Sequence, residues 1–398
     1  MDQLLEARVA SGGRLRFLAP TSPAMALVVG LLTFGCSAPS LTDRPVSGSQ
    51  SPEVVATAST PGPTRGPTPD YRAMQSQLRR ELTEGAPDLR LVRSVLVSVD
   101  GRTTISYFNK RRPTDHAHVW SVTKSVISIL VGTAVDEGRL RVDQTLQELL
   151  PRHASSMTPQ QASITLRQLL TMTAGIIDGG LNLTADDPVA QILSYGMLND
   201  PGVAFEYSDS SVHLVAAVLR NAVDRPILDY ARAKLFDPLG IDTRPAWQGW
   251  DSGSPTSGFN KPGFAWATDS TGVNVGAFGL KLTAADLVKL GELYVNGGRW
   301  HGRRIVSQAW VNESTSKQLS DEQAEAAQTQ YGYLWWPWEH KGHAVFEASG
   351  AYSQRIICFP ELDVVVVVTA ADDLTDLDVL HLTLDPVLEK VIFSPLVQ

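Results

Sequence analysis

The chain has 398 residues, 42 of them acidic against 34 basic, for a net charge of −8. That balance offers no basic surface for nucleic acid, and the 43% hydrophobic content is that of an ordinary globular protein with ample chain for a core, either two or three domains or one large domain with an insertion. Cys36 and Cys358 are the only cysteines, so neither a disulfide framework nor a cysteine-based zinc site is available.

Arg14 and Arg16 precede an apolar run from Ala24 to Phe34, followed by Gly35-Cys36. A basic region, a short hydrophobic segment and a small residue read as a secretory signal. The run is too short to span a bilayer comfortably. A Cys directly after Gly resembles a bacterial lipoprotein signal over residues 1–36, with Phe34 standing where a smaller residue is usual. The expectation is an exported cell-envelope protein carrying lipid on Cys36 and so held at a membrane. Residues 37–70 are rich in Ser, Thr, Pro and Gly without periodicity, and read as a disordered tether.

The folded part is expected over 71–398. Tyr71 to Thr83 has helical spacing. Leu91 to Val99 and Thr103 to Phe108 read as strands joined at Asp100-Gly101. Lys110-Arg111-Arg112 reads as a solvated loop, and His116-Ala117-His118 has no downstream partner at a spacing that would complete a metal site. From Ser121 the chain runs SVTKSVISILVGTAVDEG. A helix from Ser121 to Glu137 would be apolar on almost every face, the mark of a buried central helix, and Gly138 suits its C′ position. Residues 141–283 contain no convincing alternating strands and read as a mostly helical insertion. It includes a short helix from Ile164 stopped at Gly175, and an apolar helix from Val212 to Val223. Thr283 reads as the N-cap of a helix to Val295. The remainder reads as β: Tyr331 to Trp336, Ala344 to Ala348, then Arg355 to Phe359 and Val364 to Thr369 as a hairpin about Pro360 to Asp363. Val365 to Val368 is apolar without alternation, as for a strand covered on both faces. Leu377 to Ile392 reads as a closing helix with a break near Pro386.

Ser121 and Lys124 stand three apart, so on a first helical turn they share a face at the positive end of a buried helix. A lysine in a dry site can accept a proton, which suggests a serine nucleophile with a lysine base. S-x-x-K recurs by chance, so the weight falls on two further stretches in order, Tyr207-Ser208-Asp209 and Ala348-Ser349-Gly350. Together they resemble the serine β-lactamase and penicillin-binding-protein family, with its S-x-x-K, S-D-N and K-T-G elements. The resemblance is to the class C-type branch, which includes esterases, D-amino-acid peptidases and aminohexanoate-oligomer hydrolases, and runs from about Leu91 to Thr369. Its flanks are Trp120 to Ser125, Leu169 to Gly175, and Phe359 to Asp363.

The resemblance implies a β-lactamase-like α/β sandwich: an antiparallel sheet from both chain ends, flanked by helices. It also implies a serine hydrolase without cofactor or metal, acting on a small ester or amide through an acyl-enzyme. Ser121 would be the nucleophile, with Lys124 and Tyr207 moving its proton. Asp209 stands at the family's Asn position, where an anion favours the charged ammonium and shifts the base role towards Tyr207. The alternative alignment reads Ser208-Asp209-Ser210 as the S-D-N element. Ala348 replaces the family's Lys or His, which argues against a carboxylate-bearing β-lactam or peptide terminus. Gly350 would let the strand approach the substrate closely, and the N–H groups of Ser121 and Ala351, beside Ser349, would form the oxyanion hole. Trp335-Trp336-Pro337-Trp338 is a candidate acyl-pocket wall. The rival reading is a non-catalytic envelope protein on this fold, binding peptidoglycan or a protein.

Overall fold

The structure is a computed structural model and describes residues 69–244, 263–371 and 377–397. The signal-like segment, Cys36 and the expected tether up to residue 68 lie outside the described residues. The Asp70 carboxylate accepts the N–H groups of Arg72 and Ala73 at 3.1 and 3.0 Å and caps helix α1, Tyr71–Glu84. Met74, Leu78 and Leu82, four apart, turn one stripe of α1 inward.

Strands β1 (Val92–Val99) and β2 (Arg102–Phe108) are joined by Asp100 and Gly101, with φ of 52° and 67°, the left-handed pair that a tight two-residue hairpin needs. Four more strands come from the last third of the chain: β3 (Trp336–His340), β4 (His343–Gly350), β5 (Gln354–Phe359) and β6 (Val364–Ala370). They form one antiparallel sheet in the order β2-β1-β6-β5-β4-β3. The two chain ends meet at its centre, where Val95 faces Val368 and Val97 faces Val366.

The run of valines in β6 follows from cover on both faces. Val364, Val366 and Val368 join the core made with α1 and the C-terminal residues Leu384, Leu388, Val391 and Ile392. Val365 and Val367 join the larger core on the opposite face, with helices α2 (Val122–Asp136), α3 (Asp209–Val223) and α4 (Ala284–Val295). Helix α2 is buried from Val122 through Ala134. It ends as the sequence predicts: Gly138 has φ of 69°, its N–H reaches the Val135 carbonyl, and the Arg139 N–H reaches that of Ala134, both at 2.9 Å.

Three expected elements differ. The 331–336 stretch is not a strand, which starts only at Trp336. Its N–H groups diverge instead of forming one ladder: Gly332 bonds to Trp335, Tyr333 to Ser314 and Leu334 to Leu170, and Leu334 has φ of 63°. The helix expected up to Gly175 is the single turn Leu166–Leu170, and Met172 at φ 60° has already left it. The closing helix α5, Leu377–Leu388, runs through Pro386 without a break and continues as a π turn over Glu389–Phe393. Among the described residues, no helix is long and apolar enough to cross a membrane.

Candidate active site

The approach to α2 is built from backbone. The Val119 N–H bonds to the Leu280 carbonyl at 3.0 Å, anchoring the loop to the small sheet formed by Ala117–His118, Leu280–Leu282 and Ala265–Trp266. Trp120 then takes φ of 49°, a conformation unusual for a bulky residue and typical of constrained functional turns. Its carbonyl is held by the Thr123 hydroxyl at 2.7 Å. Ser121 follows at the N-cap with helical backbone angles and makes no capping bond with its side chain. An ordinary N-cap serine would use that hydroxyl on the helix. Here the Oγ accepts a hydrogen bond from Lys124 Nζ at 2.9 Å.

Lys124 is completely buried, and its Nζ donates to Ser121 Oγ, to Asp209 Oδ1 at 2.5 Å and to the Ala277 carbonyl at 2.9 Å, with a further hydrogen bond to the Tyr207 side chain. Its Nζ also sits 4.9 Å from the centroid of the Tyr207 ring. Burial alone works against the ammonium, but the charge of Asp209 and the Tyr207 phenol outweigh it and hold the lysine pKa above its ordinary value. Asp209 keeps over a third of its side chain open to solvent, so this ion pair joins a dry cation to a wet anion.

Asp209 is the first residue of α3, and Ser208 is the N-cap. The buried Ser208 Oγ accepts the Ser211 N–H at 3.0 Å as the helix cap, while Tyr207 and Asp209 both contact Lys124. The geometry therefore favours the alignment with Tyr207 and Asp209 over the one with Ser208 as second-motif residue. A residue that sequence reasoning missed completes this end. Asp178 accepts the Asp209 N–H at 2.9 Å with Oδ2 and the Ser210 hydroxyl at 2.6 Å with Oδ1, fixing the helix start that presents Asp209.

Gly350 ends β4 against the α2 entrance. A Cβ there would lie 2.5 Å from the Val119 carbonyl oxygen and 3.1 Å from the Ser121 nitrogen. The glycine thus permits close approach to the backbone at the entrance of α2, with Gly350 beside the Ser121 N–H. Ala348 is wholly buried in the apolar core, so this position of the third motif carries no cation.

Aromatic rings line the same region. Tyr207 stacks on Trp336, centroids 5.7 Å apart at 21°, and Phe205 and Tyr331 pack on Trp336 at 6.3 and 4.6 Å. Trp120 meets Tyr352 at 5.1 Å. Of the tryptophan cluster, only Trp336 joins this group. Trp335 is buried on Tyr294 and Phe346, and Trp338 packs on Phe359 and His340.

His118 is engaged as an acceptor, taking the Gly279 N–H on Nε2 at 2.9 Å, with its ring against Trp120. Burial, aided by Lys281, pushes its pKa down to about 3. Among the described residues, no group of three or more His, Cys, Asp or Glu side chains could hold a metal ion.

A family model described as Beta-lactamase matches residues 90–384. The chain belongs to the beta-lactamase family. The 6-aminohexanoate-dimer hydrolase of Paenarthrobacter ureafaciens is 22% identical over 284 residues, covering 64% of this chain and 66% of that protein. Protein flp of Staphylococcus aureus is 25% identical over 141 residues, which span 33% of this chain and only 28% of that protein. The solved structure of EstCE1, a hydrolase with promiscuous acyltransferase activity, superposes with a TM-score of 0.59 at 16% identity, covering 75% of this chain and 94% of that one. The beta-lactamase fold accounts for the architecture seen here: an antiparallel sheet made from both chain ends, with helices on its faces. The relatives and structural neighbours of the chain in this family are hydrolases.

Proposed function

We propose that this beta-lactamase-family enzyme cleaves an uncharged ester or amide through an acyl-enzyme on Ser121. The observation that carries the reading is the 2.9 Å hydrogen bond from Lys124 Nζ to a Ser121 Oγ not used in capping. In the forward step, Oγ bonds to the substrate carbonyl carbon while its proton passes to the Lys124–Tyr207 pair. The carbonyl oxygen becomes an anion facing the N–H groups of Ser121 and Ala351. Collapse breaks the bond to the leaving group, which takes the proton as an alcohol or amine. Water then repeats the sequence on the acyl-serine and releases the acid. Because Asp209 holds Lys124 charged, the role of proton carrier passes to Tyr207, whose ring centroid lies 4.9 Å from Lys124 Nζ.

The absence of a cation at Ala348 supports neutral substrates, and the likeness to a 6-aminohexanoate-dimer hydrolase supports amides as well as esters. Export and lipid anchoring through Cys36 are part of the same proposal and rest on the sequence alone. The test is to treat the purified chain with a fluorophosphonate and map the adduct by mass spectrometry. The expected adduct is on Ser121 and is lost in Ser121→Ala; labelling of a different serine, or none, overturns the reading.

A further inference from the structure

We propose that the substrate carries an elongated apolar chain, laid along a track that runs from Tyr207 out to an exposed apolar rim. The inference rests on the reading of Ser121 as nucleophile and adds the class of substrate. Among the described residues, the large hydrophobics that stand strongly exposed are Ile177, Leu198 and Val203, at 37%, 57% and 61%. Single exposed apolar residues are ordinary, but these three gather on one pair of loops beside the site.

The pairing of those loops is given by their backbone bonds. Ile177 N–H reaches the Gly196 carbonyl at 3.1 Å and Leu198 N–H reaches that of Gly175 at 2.7 Å, around the antiparallel bridge of Ile176 with Met197. In such a bridge Ile176 and Met197 share one face, and Ile177 and Leu198 the other. Ile176 is buried, so the opposite face, with Ile177 and Leu198, turns outward. The Gly202 N–H continues the pairing to Thr173 at 2.7 Å and brings in Val203.

From Val203 the chain leads inward. Alternate residues Val203, Phe205 and Tyr207 are apolar or aromatic, the first exposed and the next two half-buried, while Glu206 between them is exposed. Phe205 packs on Trp336 at 6.3 Å, and Tyr207 stacks on the same indole at 5.7 Å. Tyr207 in turn lies under the Lys124 ammonium. An apolar path thus connects the rim to the reacting centre. At its inner end Lys124 is already neutralised by Asp209, and position 348 has no cation, so neither would reward an anionic chain end.

The test measures kcat/KM of the full chain on two ester series, p-nitrophenyl esters of two, four and eight acyl carbons, and acetates of alcohols of matching lengths. A buried methylene is worth up to about fourfold in binding. One series should therefore rise steeply with chain length, and the eight-to-two-carbon ratio should fall towards one in Leu198→Ser/Val203→Ser. Two flat series, with Ser121 still labelled by the fluorophosphonate, would overturn the track and leave the nucleophile reading standing. A steep series with the same ratio in the double variant would place the chain elsewhere and also overturn it. Flat series with altered self-association in the variant would give the rim to a second copy, against the proposal. No hydrolysis and no labelling would remove both readings together.

Discussion

At the scale of single residues, the feature that distinguishes this site is Asp209. An Asn at this position would hydrogen-bond Lys124 without favouring its charge. The carboxylate 2.5 Å from Nζ instead holds a fully buried ammonium above its ordinary pKa. Asp209→Asn removes the opposing charge and leaves burial as the largest influence, so the lysine pKa must fall. The expected result is a basic limb of the kcat/KM–pH profile displaced to lower pH, with the Ser121 adduct still formed; a superposable profile would show that Asp209 does not tune the proton-transfer pair. Tyr207→Phe tests the other half. Loss of a positioned acid–base group lowers kcat by about 10²–10⁴-fold. Here that loss should come with an unchanged melting curve, because the ring keeps its stacking on Trp336. Near-normal kcat would return the base role to Lys124.

At the scale of elements, the site exists where the end of β4 meets the start of α2, and the contact is backbone against backbone. Gly350→Ala places a methyl group 2.5 Å from the Val119 oxygen, a peptide group that cannot swing aside. Overpacking of this kind costs about 1–3 kcal/mol. It would also push Ala351 away from the Ser121 N–H, and misplacement by about 1 Å at a reacting centre can cost about 10²-fold in rate. The expected outcome is a melting temperature lower by a few degrees and a far larger loss in kcat than in KM; a variant with wild-type kcat would show that this junction does not set the oxyanion geometry. The same junction shows what a sequence can and cannot reveal. Helix α2 was legible because an unbroken apolar run with a terminal Gly138 has one physical solution, and β6 because five valines in a row need cover on both faces. Asp178 was not legible: it lies far upstream of α3 and acts through one backbone N–H and one hydroxyl, leaving no pattern of spacing. Ala277 touches Lys124 through its carbonyl, which every residue has. The aromatic run at 331–336 imitated a strand, since side-chain alternation says nothing about where the N–H groups go.

At the scale of the whole molecule, the small sheet through Ala117–His118 and Leu280–Leu282 ties the entrance of α2 to the end of the helical insertion, and a histidine sits inside the tie. His118 must be neutral to accept the Gly279 N–H, and its pKa of about 3 in the fold lies below the 6.5 of an unconstrained histidine. The sign is then fixed. Above pH 6.5 neither state binds this proton, and the stabilisation is complete. Between 6.5 and 3 the unfolded chain takes the proton and the fold does not, so stability falls as the pH falls, by up to about 1.4 kcal/mol per unit. Part of the residue's surface remains open, so the measured slope should lie below that limit. The buried Asp269 and the other carboxylates held low by their partners add acid sensitivity of the same sign, so the contribution of His118 must be read as a difference. His118→Gln keeps an acceptor for the Gly279 N–H but cannot titrate. Chemical denaturation of both proteins from pH 7.5 to 4.5 should give a shallower loss in the variant, with the two stability curves converging on the acid side. Parallel curves would mean that His118 protonates in the fold as easily as in the unfolded chain.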